Sequence, residues 1–212
     1  MKKLLLMMLS CVMLLGACTG TKTTQAPAGS EVEQPQEAEP TQAPEGGPEE
    51  IHAIIDIKDY GTIDLLLHPE CAPITVENFV NLAESGFYDG LTFHRIMDGF
   101  MMQGGDPEGT GFGGSDTTIK GEFPANGVDN PLLHKRGTIS MARAEDPDSA
   151  SSQFFIMHQD YPSLDGYYAA FGEVVSGIEV VDAVCEAAQP IDNNGTIPPE
   201  AQPVINSITI KK

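Results

Sequence analysis

From Ile51 onward the apolar residues of this chain fall into short runs, most of them only four to seven residues long, separated by loops rich in glycine and proline. Ile51–Ile57 is apolar and β-branched and reads as a strand, with Gly61–Leu67 as its hairpin partner across Asp59-Tyr60-Gly61. Further short strands are predicted near Thr92–Ile96, Phe100–Gln103, Thr138–Ala142, Phe154–His158 and Ala170–Val174, and Val204–Ile210 alternates as a closing strand. Only two stretches carry helical spacing. Pro73–Glu84 has Val76, Phe79, Val80 and Ala83 on one face. Pro73 sits near its start, where a missing N–H costs little, and Ser85-Gly86 stops it. The second runs from about Ile178 to Ala187, with Ile178, Val181 and Val184 on one face. Many short strands with two helices are expected to build a mainly β fold, a barrel or a sandwich.

The chain ahead of this region is organised differently. Lys2 and Lys3 form a positive start and Leu4–Leu15 an apolar core, too short to read as a membrane-spanning helix. The core ends in Leu15-Gly16-Ala17-Cys18, which resembles a bacterial lipobox. The resemblance implies a lipoprotein signal peptide over residues 1–17, cleavage before Cys18, and lipid attachment at the Cys18 sulfur, with more than one acyl chain for stable anchoring. Residues 18–50 then read as the lipidated cysteine plus a disordered acidic linker, rich in Pro and Glu and almost devoid of large apolar side chains. As a coil the linker would span roughly 30 Å, and drawn out roughly 100 Å. Residues 51–212 are expected to form one compact domain, held outside the cytoplasm by the anchor.

The formal charge is −20: the leader carries +2, residues 19–50 carry −6 and residues 51–212 carry −16. Such a domain is repelled by nucleic acid and by anionic surfaces, so nucleic-acid partners are not expected. Cys71 and Cys185 remain once Cys11 leaves with the leader and Cys18 takes lipid; neither sits in a C-x-x-C pair, so no zinc site is supported.

Phe93–Asp106 reads FHRIMDGFMMQGGD. It sets one arginine, Arg95, a few residues from Phe100, Met101 and Met102, with Gln103 and the pair Gly104-Gly105 following. It holds no nucleophile, no metal-ligand spacing and no acid/base pair. A single fixed cation beside an apolar pocket suits binding and twisting an amide better than breaking one. The stretch resembles the active-site strands of the cyclophilins, the cyclosporin-binding family of peptidyl-prolyl cis-trans isomerases. The resemblance extends over 51–212. It includes Thr75-Val76-Glu77-Asn78-Phe79, Gly137-Thr138-Ile139-Ser140-Met141-Ala142, Ser152-Gln153-Phe154-Phe155-Ile156, Leu164-Asp165-Gly166 and Ala170-Phe171-Gly172-Glu173-Val174, all in the family's order.

The resemblance implies a closed eight-stranded antiparallel β-barrel capped by two α-helices. Cys71 lies just before one predicted helix and Cys185 near the end of the other, and in such a barrel those helices cap opposite ends, so two free thiols are expected. The family resemblance also assigns roles. Arg95 is the catalytic donor and Gln103 a polar group near it and the substrate carbonyl. Phe100, Met101, Phe155 and Leu164 wall the proline pocket. Ala142 and Arg143 border the residue before proline, with Gln153 nearby and Tyr168 offering a ring edge and a hydroxyl. Phe154 and Ile156, on the alternating positions, are core. Three positions depart from the eukaryotic members: Arg143 replaces an asparagine, Tyr168 a histidine, and Ser163 a tryptophan associated with cyclosporin, so weak cyclosporin binding is expected.

The chemistry needs no cofactor or metal, because no bond is made or broken. Cis and trans X-Pro bonds are close in energy and separated by roughly 20 kcal/mol of amide resonance. A catalyst must favour the twisted amide, whose prolyl nitrogen becomes pyramidal and can accept a hydrogen bond. Arginine, always charged, suits that task. The expected partners are proline-containing polypeptides, bound by a monomer. The rival readings are a non-catalytic proline-peptide binding or chaperone module on the cell surface and, more remotely, a structural surface lipoprotein.

Other signals carry less. Gly109–Gly114 matches G-x-G-x-x-G but lacks the strand–turn–helix context and reads as a flexible loop. Ser151, Ser152, His158 and Asp160 lack a nucleophile elbow. His94 reads as packing rather than as a base, and Asp192-Asn193-Asn194-Gly195 as a polar turn rather than a calcium loop.

Overall fold

The computed structural model describes residues 50–212; the expected signal peptide, Cys18 and the expected linker up to residue 49 lie outside the described residues. Eight strands and two helices are present among the described residues. The strands are β1 (Ile51–Ile57), β2 (Gly61–Leu67), β3 (Thr92–Met97), β4 (Met101–Asp106), β5 (Thr138–Met141), β6 (Phe154–Met157), β7 (Ala170–Ser176) and β8 (Ile205–Lys211). The helices are α1 (Pro73–Glu84) and α2 (Ile178–Ala187). Three short 3₁₀ turns, at Pro124–Asn126, Pro162–Leu164 and Pro199–Ala201, each start on a proline and were not anticipated.

The strands form one antiparallel sheet in the order β3-β4-β6-β5-β7-β2-β1-β8. The expected closure is not completed. Strands β3 and β8 form no ladder; the start of β3 meets only the residues just ahead of β8, at a bridge between Thr92 and Val204, helped by Phe93 N–H donating to Pro203 O at 2.9 Å and Ile205 N–H donating to Leu91 O at 2.8 Å. The reason is competition for an edge. The rest of β3 is taken by the turn after α2: Ile96 N–H donates to Gly195 O at 2.8 Å and Ile197 N–H to His94 O at 2.9 Å. The sheet is therefore a curled, open half-barrel.

Its inner face holds the main core. Phe79 of α1 packs on Tyr88, Phe154 and Phe171, with ring centroids 5.2–5.5 Å apart. Ile55, Ile63, Leu65, Phe93, Ile139 and Ile156 are fully buried beside them. Helix α1 buries Val76, Phe79, Val80 and Ala83 as the spacing predicts, with Thr75 in addition. Its first amides, which have no partner within the helix, are capped from far away. The Glu122 carboxylate accepts from Ile74 N–H at 3.1 Å, Thr75 N–H at 2.8 Å and Thr75 Oγ1 at 2.7 Å, satisfying donors that the Ala72 cap position cannot. Helix α2 buries Val180, Val181, Val184 and Cys185. Cys71 and Cys185 are both free thiols.

A second apolar cluster lies on the other face of the sheet. Met101, Phe155 and Met157 are buried there, with Met97, Phe100, Ala142, Leu164 and Tyr168 packed around them. Strand periodicity explains the split: along β6, Phe154 and Ile156 point into the core, and Phe155 and Met157 point out of it.

Candidate active site

The outer cluster surrounds a pocket of about 140 Å³, lined by Arg95, Phe100, Met101, Gln103, Ala142, Arg143, Phe155, Leu164 and Tyr168. That is well below the roughly 300 Å³ at which drug-sized ligand sites begin. Nine of the ten residues expected at the site line this one pocket. The tenth, Gln153, is one hydrogen bond away: Gln103 Nε2 donates to Gln153 Oε1 at 2.9 Å, and Gln153 Nε2 to Gly113 O at 2.7 Å. Ser163 is exposed and does not line the pocket.

A bulge aims Arg95. Phe93 pairs with Gly104 and Arg95 with Gln103, which leaves His94 as an extra residue in β3. The extra residue lets Phe93 and Ile96, three apart, both enter the core, while Arg95 and Met97 turn to the outer face. The guanidinium is then held from three sides. Nε donates to Asn194 O at 2.7 Å, Nη1 to Gln103 Oε1 at 3.2 Å, and Nη2 lies 3.3 Å from Met97 Sδ. The Phe100 ring lies 5.9 Å from its central carbon. Among the described residues no carboxylate comes within ion-pair distance of Arg95. Burial lowers its pKa, against the opposing pull of Tyr168 and Asp192, and an arginine so shifted stays charged. The result is an uncompensated, immobilised cation at the rim of an apolar pocket.

The glycine pair serves the strand. Gly105 has φ +81, and a Cβ there would lie 2.6 Å from Ser152 O. Asp106, fully buried, follows. Burial would raise its pKa, but backbone N–H groups of Glu108, Gly111 and Thr110 donate to the carboxylate and hold it below the usual range. The Gly109–Gly114 loop is thus clasped by a carboxylate, a correction to its reading as flexible.

Arg143 lines the pocket, but its guanidinium is not free to act in it. Its guanidinium turns to backbone carbonyls, with Nη2 donating to Tyr167 O at 2.9 Å and Nη1 to Ala144 O at 2.9 Å. It stacks on Tyr168 at 4.8 Å and Phe123 at 5.1 Å. Two of the three departures therefore form a single stacked unit on one wall.

Several supporting residues escaped the sequence reading. His134, on no predicted element, lies under the pocket: it stacks on Phe155 at 5.9 Å and meets Tyr168 edge-on at 6.4 Å. Its Nδ1 is 3.1 Å from Asp165 Oδ1 and its Nε2 3.1 Å from Ser140 Oγ. An ionised carboxylate only accepts, so Nδ1 carries the hydrogen and Nε2 accepts from the serine. Burial lowers the His134 pKa more than Asp165 raises it. The carbonyl of Asn194 also escaped, being 99 residues from the arginine it holds. The polar turn that supplies it is built as expected, by Asp192 accepting from Asn194 N–H and Thr196 N–H at 3.0 Å each. No triad forms at the serines: Ser152 Oγ donates to Gly105 O, and His158 Nε2 lies 3.1 Å from Asp182.

Residues 52–210 match the family model described as cyclophilin type peptidyl-prolyl cis-trans isomerase/CLD. The chain belongs to the cyclophilin family. Its relatives include peptidyl-prolyl cis-trans isomerase B of Bacillus subtilis (strain 168), 50% identical over 123 residues, or 58% of this chain and 82% of that protein. A peptidyl-prolyl cis-trans isomerase of Helicobacter pylori (strain ATCC 700392 / 26695) is 48% identical over 126 residues, 58% of this chain and 74% of that one. Among solved structures, a Cryptosporidium parvum cyclophilin type isomerase, crystallised in the presence of the dipeptide Ala-Pro, has a TM-score of 0.67 and 31% identity, covering 76% of this chain and 99% of that one.

Proposed function

We propose that this cyclophilin is a peptidyl-prolyl cis-trans isomerase that acts on exported polypeptides from a lipid anchor outside the cytoplasm. Family membership and the names of its relatives support the activity. The observation that carries the mechanism is Arg95, held on three sides beside an apolar pocket and free of any carboxylate among the described residues.

In this mechanism the proline ring enters between Phe100, Met101, Phe155 and Leu164. Rotation about the amide pyramidalises the prolyl nitrogen, and its lone pair accepts from an Arg95 N–H. The planar cis and trans amides offer no such acceptor, so the contact strengthens only in the twisted state, which is where it accelerates rotation. Gln103 orients the guanidinium through its Oε1 and takes its own orientation from Gln153. The cyclophilin solved with Ala-Pro supports a pocket of this kind receiving a proline. The cellular setting is supported by the Leu4–Leu15 core, the Leu15-Gly16-Ala17-Cys18 sequence and the acidic stretch 18–50. We take the working form to be a monomer.

The test is a protease-free isomerisation assay on a short Ala-Pro peptide, comparing the chain with Arg95→Ala. Rates above buffer that fall about a hundredfold or more in a variant of unchanged Tm support the mechanism. A folded wild-type chain that binds the peptide without accelerating it would favour a non-catalytic binding module. Ser163 offers no large aromatic contact, so cyclosporin should inhibit only at micromolar or higher concentration; a nanomolar constant would contradict this.

A further inference from the structure

A second concavity, of about 580 Å³, shares Arg95 and Gln103 with the proline pocket but includes neither Ala142 nor Arg143. Its walls come from two loops, Gly109–Phe112 on one side of the sequence and Ile191–Gln202 on the other, over a floor made by His94. Phe112 and Ile191 are the two most exposed large apolar side chains among the described residues, at 94% and 69%, and both line this groove. Single exposed apolar residues need no explanation, but two lining one groove that is continuous with a substrate pocket form a patch, and such patches mark binding surfaces.

Both side chains are presented by braced loops. The Asp106 carboxylate clasps the first loop through the backbone of Glu108, Thr110 and Gly111, and Phe112 N–H donates to Thr110 Oγ1 at 3.3 Å. In the second, Ile191 N–H donates to Thr196 O at 2.9 Å, and Asp192 holds the turn beside it. Pro198 and Pro199 stiffen the wall beyond. His94 is 4% exposed, and among the described residues neither of its ring nitrogens has a partner. The one charged side chain lining the groove is Arg95, at the end shared with the proline pocket. Away from that end the groove is rimmed by Phe112, Ile191, Ile197 and the two prolines and carries no charged side chain, which favours an apolar side chain.

We propose that this groove receives an apolar side chain from the residues that follow the proline of a client polypeptide. The direction follows from the proposed binding mode: with the residue before proline against Ala142 and Arg143 on one wall of the pocket, the chain leaves across Arg95 into the groove. The proposal rests on the isomerase reading and adds a substrate class, X-Pro segments followed by apolar residues such as those an unfolded chain exposes.

The test compares exchange-NMR rates for Ala-Ala-Pro-Leu-Leu, Ala-Ala-Pro-Ser-Ser and the truncated Ala-Ala-Pro-amide, using the whole chain and a Phe112→Ser/Ile191→Ser variant. The leucine peptide should be favoured over the serine peptide by roughly fivefold in kcat/KM. The variant should bring that ratio within about twofold and leave the truncated peptide unchanged. No leucine preference in the wild-type chain, or a preference that survives in the variant, overturns the groove while leaving the isomerase intact. If no peptide is accelerated, the isomerase reading fails separately. The Kd ratio of the same peptides then decides the groove, which falls unless the leucine preference is present in the wild-type chain and lost in the variant.

Discussion

His94 is the oddest residue in the protein. It neighbours Arg95, it is the extra residue of the bulge, and its buried ring nitrogens are both without partners among the described residues. Leaving such a group unpaired costs about 1–3 kcal/mol. Its pKa is lowered, chiefly by burial and further by Arg95, with Asp106 opposing. The unfolded chain therefore takes up a proton near the ordinary value of 6.5 while the folded chain resists. Stability must fall as pH drops below that value, and His134, lowered in the same direction, adds to the slope. His94→Leu should keep the fold, raise stability by about 1 kcal/mol at pH 7 and flatten part of the slope between pH 7 and 5. Thermal unfolding of both proteins across that range checks it; a variant less stable by a comparable amount would mean the imidazole is satisfied in a way its surroundings do not show.

At the scale of elements, β6 separates stability from function by a single-residue step. Phe154 touches Phe79, Tyr88 and Phe93 inside the sheet, and Phe155 faces the pocket between His134 and Tyr168. Phe154→Ala should cost about 3–5 kcal/mol. Phe155→Ala should cost less, since part of its ring surface faces an opening, yet lower kcat/KM by at least about tenfold. Chemical denaturation and the isomerisation assay on the two variants would show this crossing of effects, and equal losses in both would refute it. The alternation behind this contrast was legible in the sequence, as were both helices and the positions of all eight strands. The bulge in β3 was not read, although the sequence held a signal for it: Phe93 and Ile96 are three apart and so cannot share one face of a regular strand. The Glu122 cap on α1, the Asn194 carbonyl on Arg95 and the His134 support under Phe155 left no such local trace. Each links residues separated by tens of positions and depends on how the loops return. Closure of the barrel was misread for the same reason, because a turn won the edge of β3 that the last strand was expected to occupy.

Across the whole molecule the charge is lopsided. Residues 51–212 carry −16, yet the pocket is bordered by Arg95 and Arg143, neither of them neutralised by a carboxylate within ion-pair distance among the described residues. The long-range field draws cationic clients and repels anionic ones, whereas the rim does the reverse at contact. Over distances beyond a Debye length the net charge prevails. A proline peptide flanked at a distance by lysines should therefore be turned over severalfold more efficiently than one flanked by glutamates at low salt. The difference should vanish near 1 M salt, where screening acts within roughly 3 Å. kcat/KM measured over a salt series tests this, and a salt-independent ratio would show that the net charge has no part in encounter.

The pocket is carved into the outer wall of a half-barrel whose interior is filled with side chains. A client chain consequently meets the catalyst from the side, as a rope is laid across a cleat. No free end has to be threaded, and both flanks of the chain stay outside the enzyme. Prolines deep within a long polypeptide, or in one still tethered at both ends, are as accessible as a terminal one, provided the local segment is extended.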